Sequence, residues 1–306
     1  MLPALLTTIL FSISAVSASR STRVLGGMTA NFWRILVATV LLGVWAHIFG
    51  GGLRSVALPL FLISGCVGFG VGDLALYQAL PRVGSRLSIM LVHCLAAPFA
   101  ALVELVWMGS TLTLFQIVCG LTILGGVALA LAPQEHMHIP KRTLMAGVVL
   151  GVLASLGQGL GAVISRKAYD IAAAAGEPIA GLNAGVTAAY QRIWGGVAIA
   201  SIGFIATRLR SLATRVPPEP QPSIRQRGSI WPWVLANGVA GPGLGVACYQ
   251  WALATTKSGL VLPIIALTPL VIMPFAHFID GERPTSRSVA GGLIAVLGVI
   301  GLRLAT

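Results

Sequence analysis

Gly120-Leu121-Thr122-Ile123-Leu124-Gly125-Gly126-Val127 and Gly292-Leu293-Ile294-Ala295-Val296-Leu297-Gly298-Val299 share the frame Gly-Leu-x-x-x-x-Gly-Val at an offset of 172 residues, from 120 to 292. Both stretches are apolar and uncharged, and each lies in the last apolar run of its half of the chain, so the sequence reads as two copies of one unit. Working outward at the same offset, Tyr77-Gln78 aligns with Tyr249-Gln250 and Gly109 with Gly281. With a small slip, Ala79-Leu80 matches Ala252-Leu253 and Pro98 matches Pro269. Further upstream Arg34-Ile35 matches Arg192-Ile193, each preceded two residues earlier by an aromatic, Phe32 or Tyr190. The order of these elements is the same in both halves.

The unit is a membrane one. Only 9% of the 306 residues are charged, 56% are hydrophobic and the mean hydropathy is +0.90, too little polar surface to cover a water-soluble core. Apolar runs long enough to cross a bilayer recur ten times, at about 2–18, 28–48, 57–80, 85–107, 113–132, 144–165, 186–206, 231–254, 259–279 and 286–304. The gaps Pro81 to Gly84, Ala254 to Ser258 and Asp280 to Pro284 are short, so neighbouring helices there pack as antiparallel hairpins. The proline-rich stretch from Arg208 to Arg227 reads as an extended loop. The expected organisation is a first repeat over 1–132, a linker over 133–143 and a second repeat over 144–306. Ala15 to Ala18 resembles a signal cleavage site, but no basic residues precede it and the repeat gives the first run a partner, so it is read as a membrane helix.

Five spans per repeat is an odd number, so two copies of one fold must enter the membrane from opposite sides. The fold class is therefore all-α, an integral membrane protein of ten transmembrane helices in a 5+5 inverted repeat. Such repeats surround a central cavity and allow outward and inward states of similar energy, the geometry of alternating access.

The net charge of +12, from 20 Lys and Arg against 8 Asp and Glu, does not indicate nucleic acid. The basic residues fall in the gaps between spans, where cations meet lipid headgroups, with no basic stripe and interleaved aromatics. Cys66, Cys94, Cys119 and Cys248 lie inside apolar runs without C-x-x-C spacing and read as thiols. His136 and His138 make a poor metal site, lacking neighbouring Cys or carboxylate ligands. No nucleophile elbow, zinc-protease motif or phosphate-cradling loop occurs, so no enzyme, cofactor or metal is expected.

In order along the chain, Arg34 and Arg192, Gly72-Asp73 with Tyr77, Ala79-Leu80, Gly84, Ser85 and Pro98, and the closing Gly281-Glu282 with Gly292 and Gly298 carry a resemblance. Over nearly its whole length the chain resembles the drug/metabolite transporter superfamily, and within it the ten-helix EamA-type transporters. The resemblance implies a secondary transporter of small metabolites such as amino acids or drugs, with its site between the halves. It implies a multi-pass protein of the bacterial inner membrane, a monomer or homodimer whose partners are a small-molecule solute and membrane lipids. The competing reading is a lipid flippase or membrane-embedded enzyme, which would need a lipid-sized lateral groove or a reactive cluster. Where the first half of such proteins often carries a Glu matching Glu282, this chain has Ser110.

Ionisable side chains are costly in hydrocarbon and so point to a partner or a function. Asp73 and His93 lie at similar depth from the turn at 81–84 and could form an ion pair or proton relay; Asp73 is the expected proton-coupling residue. Tyr77 and its counterpart Tyr249 present similar rings to the centre, with an acid in one half only. Arg34 and Arg192 could attract an anionic solute, or snorkel to headgroups. Gln250 and Trp251 complete the expected cavity lining. Glu104 shares a face with His93 and is read as reaching the interface. The glycines Gly68, Gly70 and Gly72, and Gly241, Gly243 and Gly245, mark matched interruptions or close packing in the third and eighth spans. Counted by loop parity, 13 Lys and Arg fall on the side of both termini and 5 on the other. The positive-inside rule would thus place both termini outside the cytoplasm; the family resemblance implies the reverse, and is preferred.

Overall fold

The structure, a computed structural model, describes residues 1–131, 140–214, 224–272 and 286–304. The Gly281-Glu282 hairpin, His136 and His138, most of the linker, the proline-rich part of the long loop and the end of the ninth run lie outside the described residues. Every regular element among the described residues is helical. The elements are α1 (Leu2–Leu25), α2 (Gly27–Phe49), α3 (Leu58–Gly65), a first π-helical segment (Cys66–Gly72), α4 (Asp73–Met108), α5 (Leu114–Leu131), α6 (Lys141–Ala174) and α7 (Gly181–Thr214). They continue with α8 (Ile224–Gly238), a second π segment (Val239–Gly243), α9 (Leu244–Thr255), α10 (Ser258–Ile265) and α11 (Ser286–Leu304).

Seven stretches are long and apolar enough to cross a membrane, and Leu114–Ala130 and Ser258–Ile272 are shorter apolar helices. Residues 224–255, with the second π segment inside them, hold the eighth expected run. Local chemistry sets several ends: Pro3 and Pro59 stand in the first turns of α1 and α3, where a missing N–H costs nothing. Gly109 closes α4 at φ 67°, a left-handed position that favours glycine.

The expected loop at Pro81 to Gly84 is not a break, since helical geometry runs unbroken from Asp73 to Met108. The chain nevertheless doubles back there. Gly72 and Ala96 both touch α6, at Gly157 and Gly159, whereas 24 residues of straight helix would separate them by about 36 Å. The sixth predicted run is also too short: α6 continues to Ala174, which brings Arg166 and Lys167 into a helix rather than a loop.

The two halves are inverted. A Cβ on Gly126 of α5 would stand 2.5 Å from the carbonyl oxygen of Gly291 on α11, and the converse distance is also 2.5 Å. Gly298 lies against Cys119 in the same interface, so these counterpart helices run antiparallel. The same holds for α2 and α7, where Gly203 meets Met28 while Gly43 meets Tyr190. Antiparallel contact between a helix and its own counterpart is what a two-fold axis in the membrane plane requires.

Each half also lends its first helix to the other. Hydroxyls of α1 bond into the second half: Thr7 to Gly245 O at 3.3 Å, Thr8 to Ile264 O at 3.1 Å, Ser12 to Thr268 O at 3.0 Å and Ser14 to Asn237 Oδ1 at 2.7 Å. α6 correspondingly packs on α3, the first π segment and α4. The first apolar run is therefore an integral helix of the bundle.

The π segments begin at Cys66 and Val239, 173 residues apart, at the glycine clusters seen in the sequence. Glycine permits the wider turn, and Pro242 removes an N–H that an α-helix would need. Beside them, Gly65 packs on the backbone of Arg192 and Gly238 on the backbone of Arg34, so the two arginines enter the bundle at equivalent places.

Candidate functional site

Between the halves lies a cavity of about 500 Å³ whose wall draws on α1, α2, α4, α6, the second π segment, α9 and residues 262–272. Most of the wall is apolar, from residues such as Phe11, Leu76, Val92, Ala96, Val246 and Leu262. Its polar residues are Ser14, Thr22, Arg34, Asp73, Tyr77, His93, Gln158, Tyr249 and Thr268. A concave, mostly apolar site with a few converging polar groups suits a small molecule.

The strongest feature is an ion pair. Arg34 Nη2 donates to Asp73 Oδ2 at 2.7 Å, and Arg34 Nε donates to Asn31 Oδ1 at 2.8 Å. The guanidinium stands 5.6 Å from the centre of the Tyr77 ring. Asp73 is positioned by the first π segment, which ends at the residue before it. Arg34 thus points into the cavity rather than to the headgroups, and it, not His93, is the partner of Asp73. His93 lines the same cavity without a hydrogen bond to Asp73 among the described contacts.

Arg192 does not line the cavity. It is 2% exposed and lies against Gly68 and Gly161 with its guanidinium 5.0 Å from the Phe69 ring and 5.8 Å from the Tyr249 ring. Tyr249 is 3% exposed and does reach the cavity wall.

Residues 1–132 and 145–304 each match the profile of the EamA-like transporter family. The chain belongs to the EamA-like transporter family. Two curated relatives, both probable 4-amino-4-deoxy-L-arabinose-phosphoundecaprenol flippase subunits ArnE, match part of this transporter. The one from Pseudomonas paraeruginosa (strain DSM 24068 / PA7) is 34% identical over 71 residues, 23% of this chain and 59% of the relative. The one from Pseudomonas aeruginosa (strain UCBPP-PA14) is 32% identical over 72 residues, 24% of this chain and 60% of the relative. The match thus spans about three fifths of either relative's length. A crystal structure of another protein superposes at TM-score 0.76 over 100% of this chain and 98% of that one, with 16% identity, which shows the fold alone. The chain is a multi-pass integral membrane protein whose family role is transport.

Within this EamA-like transporter two expected cavity residues besides Arg192 lie elsewhere. Gln250 is fully buried between α9 and α6, where its Nε2 donates to Ser165 Oγ at 3.3 Å. Trp251 packs on Gly185 of α7. Each follows Tyr249 by one or two residues, and a helix turns about 100° per residue, so neither can share its face. Glu104 is also not at the interface. It is 2% exposed, its Oε1 lies 3.3 Å from Arg166 Nε off hydrogen-bond alignment, and its Oε2 accepts the backbone N–H of Ser258 at 2.8 Å and the Ser258 hydroxyl. The sequence reading missed Ser14, Thr22, Gln158 and Thr268 in the cavity wall. Thr8 and Ser12, and Ser14, Ser17 and Ser21, recur three to four residues apart along α1, a density of hydroxyls that could have marked the helix as facing protein.

Proposed function

We propose that this EamA-like transporter carries a small organic solute across the bacterial inner membrane by alternating access through the central cavity, as a secondary transporter coupled to protons at Asp73. The observation that carries the reading is the Arg34–Asp73 pair, with Asp73 buried and Arg34 half-buried, set in a cavity walled by both repeats and abutting both π segments. A buried pair costs desolvation and adds little stability by itself, so its place in a cavity wall favours a working role. Interrupted helices at matched positions supply hinges beside that pair. A volume of about 500 Å³ falls within the range of about 300–1,000 Å³ usual for small-molecule sites. The repeats, 1–132 and 144–306 with the 133–143 linker, would rock as two units around it, in a monomer or in each subunit of a homodimer.

The names of the curated relatives favour a second reading, a lipid flippase in which the cavity takes only a headgroup while the acyl or prenyl chain stays in the bilayer. A thermal-stability screen of the purified protein against amino acids, sugars, nucleosides, polyamines and cationic drugs tests the first reading. A ligand at a hundredfold excess over its Kd raises stability by about 2.7 kcal/mol. A hit, followed by its uptake into proteoliposomes, supports solute transport. No hit in any soluble class, together with headgroup translocation of a lipid probe, replaces it with the flippase.

A further inference from the structure

We infer that Arg192, together with the hydroxyls of Tyr249 and Tyr169, receives an oxyanion carried by the transported molecule; this rests on the transport reading above and names the chemistry it would recognise.

The charges inside the bundle do not balance. Among the described residues, Arg34 is paired with Asp73 and Arg166 with Glu104. Among the described residues Arg192, 2% exposed, makes no side-chain hydrogen bond or ion pair, and its Nε is buried without a partner. The hydroxyls of Tyr249 and Tyr169 are likewise buried and unpartnered among the described residues, and both tyrosines lie within electrostatic range of Arg192. The guanidinium is surrounded by aromatic rings and glycine backbone, and Asp73, the carboxylate that acts on it electrostatically, is already hydrogen-bonded to Arg34, so its charge is incompletely compensated.

The repeat shows what is absent. Arg34 stands over Tyr77 at 5.6 Å as Arg192 stands over Tyr249 at 5.8 Å, and Tyr77 and Tyr249 are counterparts at the 172-residue offset. At that offset Asp73 corresponds to Gly245. The first half therefore supplies its own carboxylate to its arginine, whereas the second half has the arginine and the tyrosine but glycine at the place of the acid. A carboxylate or phosphate on the solute would take the role that Asp73 plays for Arg34, accepting bidentate bonds from the guanidinium and one from a phenol. Gly68 and Gly161 hold the guanidinium in place, since a Cβ at either would lie 2.3 or 2.9 Å from Arg192 Nη2. Tyr249 lines the cavity, so Arg192 stands one ring behind its wall and turning that ring opens the way.

The test is a thermal-shift titration of the purified full chain. The soluble probes are amino acids and monocarboxylates, each beside its neutral amide, and inorganic phosphate; the lipid probes are undecaprenyl phosphate and undecaprenol. The expected result is stabilisation by an oxyanion and none by its neutral mate. Arg192→Gln should weaken that binding at least tenfold, Arg192→Lys should restore part of it and Tyr249→Phe should weaken it less. Unliganded Arg192→Gln should melt no lower than the parent, because the change removes an unpaired buried charge. A soluble acid as the active probe identifies a free solute; undecaprenyl phosphate identifies a lipid headgroup. Equal binding of acid and amide, an Arg192→Gln affinity within twofold of the parent, or no response to any oxyanion overturns the inference. Transport of only neutral or cationic solutes would overturn it while leaving the transport reading intact. Oxyanions that bind but never cross would do the reverse.

Discussion

Arg34 on α2 and Asp73 at the start of α4 are joined at 2.7 Å across the cavity wall. Removing one partner strands the other. Arg34→Ala or Asp73→Ala should each destabilise the protein by about 3–5 kcal/mol, whereas the joint change Arg34→Met with Asp73→Leu should recover most of that loss. Thermal unfolding of the four proteins in one detergent checks this. A double variant no more stable than the worse single one would mean that the pair does not couple.

Asp73→Asn keeps the shape and removes the charge. The expected outcome in proteoliposomes is loss of uphill uptake driven by a proton gradient with retention of solute exchange. Uphill uptake unchanged in the variant would remove Asp73 from the coupling step.

Glu104 does a different task, tying Arg166 of α6 and the N-terminus of α10 to α4. Glu104→Ala should lower stability by about 3–5 kcal/mol through the stranded Arg166 and the lost helix cap. Ligand affinity, measured where the variant is still folded, should stay within about twofold, because Glu104 does not line the cavity.

The α5–α11 crossing depends on backbone approach. Gly126→Val would put its Cβ 2.5 Å from Gly291 O and should cost about 1–3 kcal/mol or more through overpacking. Gly125, with nothing within 4 Å of the position its Cβ would take, should accept Ala with little change in melting temperature.

Much of this architecture is legible in the sequence because it depends on period and composition. Ten apolar runs, a 172-residue echo and two glycine clusters lead to ten passes, an inverted repeat and π segments at Cys66–Gly72 and Val239–Gly243. The site is less legible because it depends on helix rotation and long-range pairing. Tyr249 faces the cavity while Gln250 and Trp251 do not, a difference of about 100° per residue that the length and hydropathy of an apolar run do not report. Glu104 finds Arg166 only because α6 runs on to Ala174, past the point where hydropathy falls. The partner of Asp73 is Arg34, 39 residues earlier, and nothing in local spacing favours it over His93. The first span was ambiguous by composition, and its hydroxyls resolve it. Replacing Thr7, Thr8 and Ser12 by Val, Val and Ala should cost about 2 kcal/mol in all, at about 0.6 kcal/mol per interhelical bond in a membrane protein, read as a lower melting temperature.

The central claim is that one cavity serves both faces of the membrane in turn. Ala96 lines that cavity and is 3% exposed, so a single cysteine there, with Cys66, Cys94, Cys119 and Cys248 replaced, reports which face has access. In right-side-out and inside-out vesicles, membrane-impermeant thiol reagents should label Ala96→Cys from either side, and substrate or a proton gradient should raise labelling from one side as it lowers labelling from the other. Labelling from one face only under every condition, or from both faces rising together, would contradict alternating access.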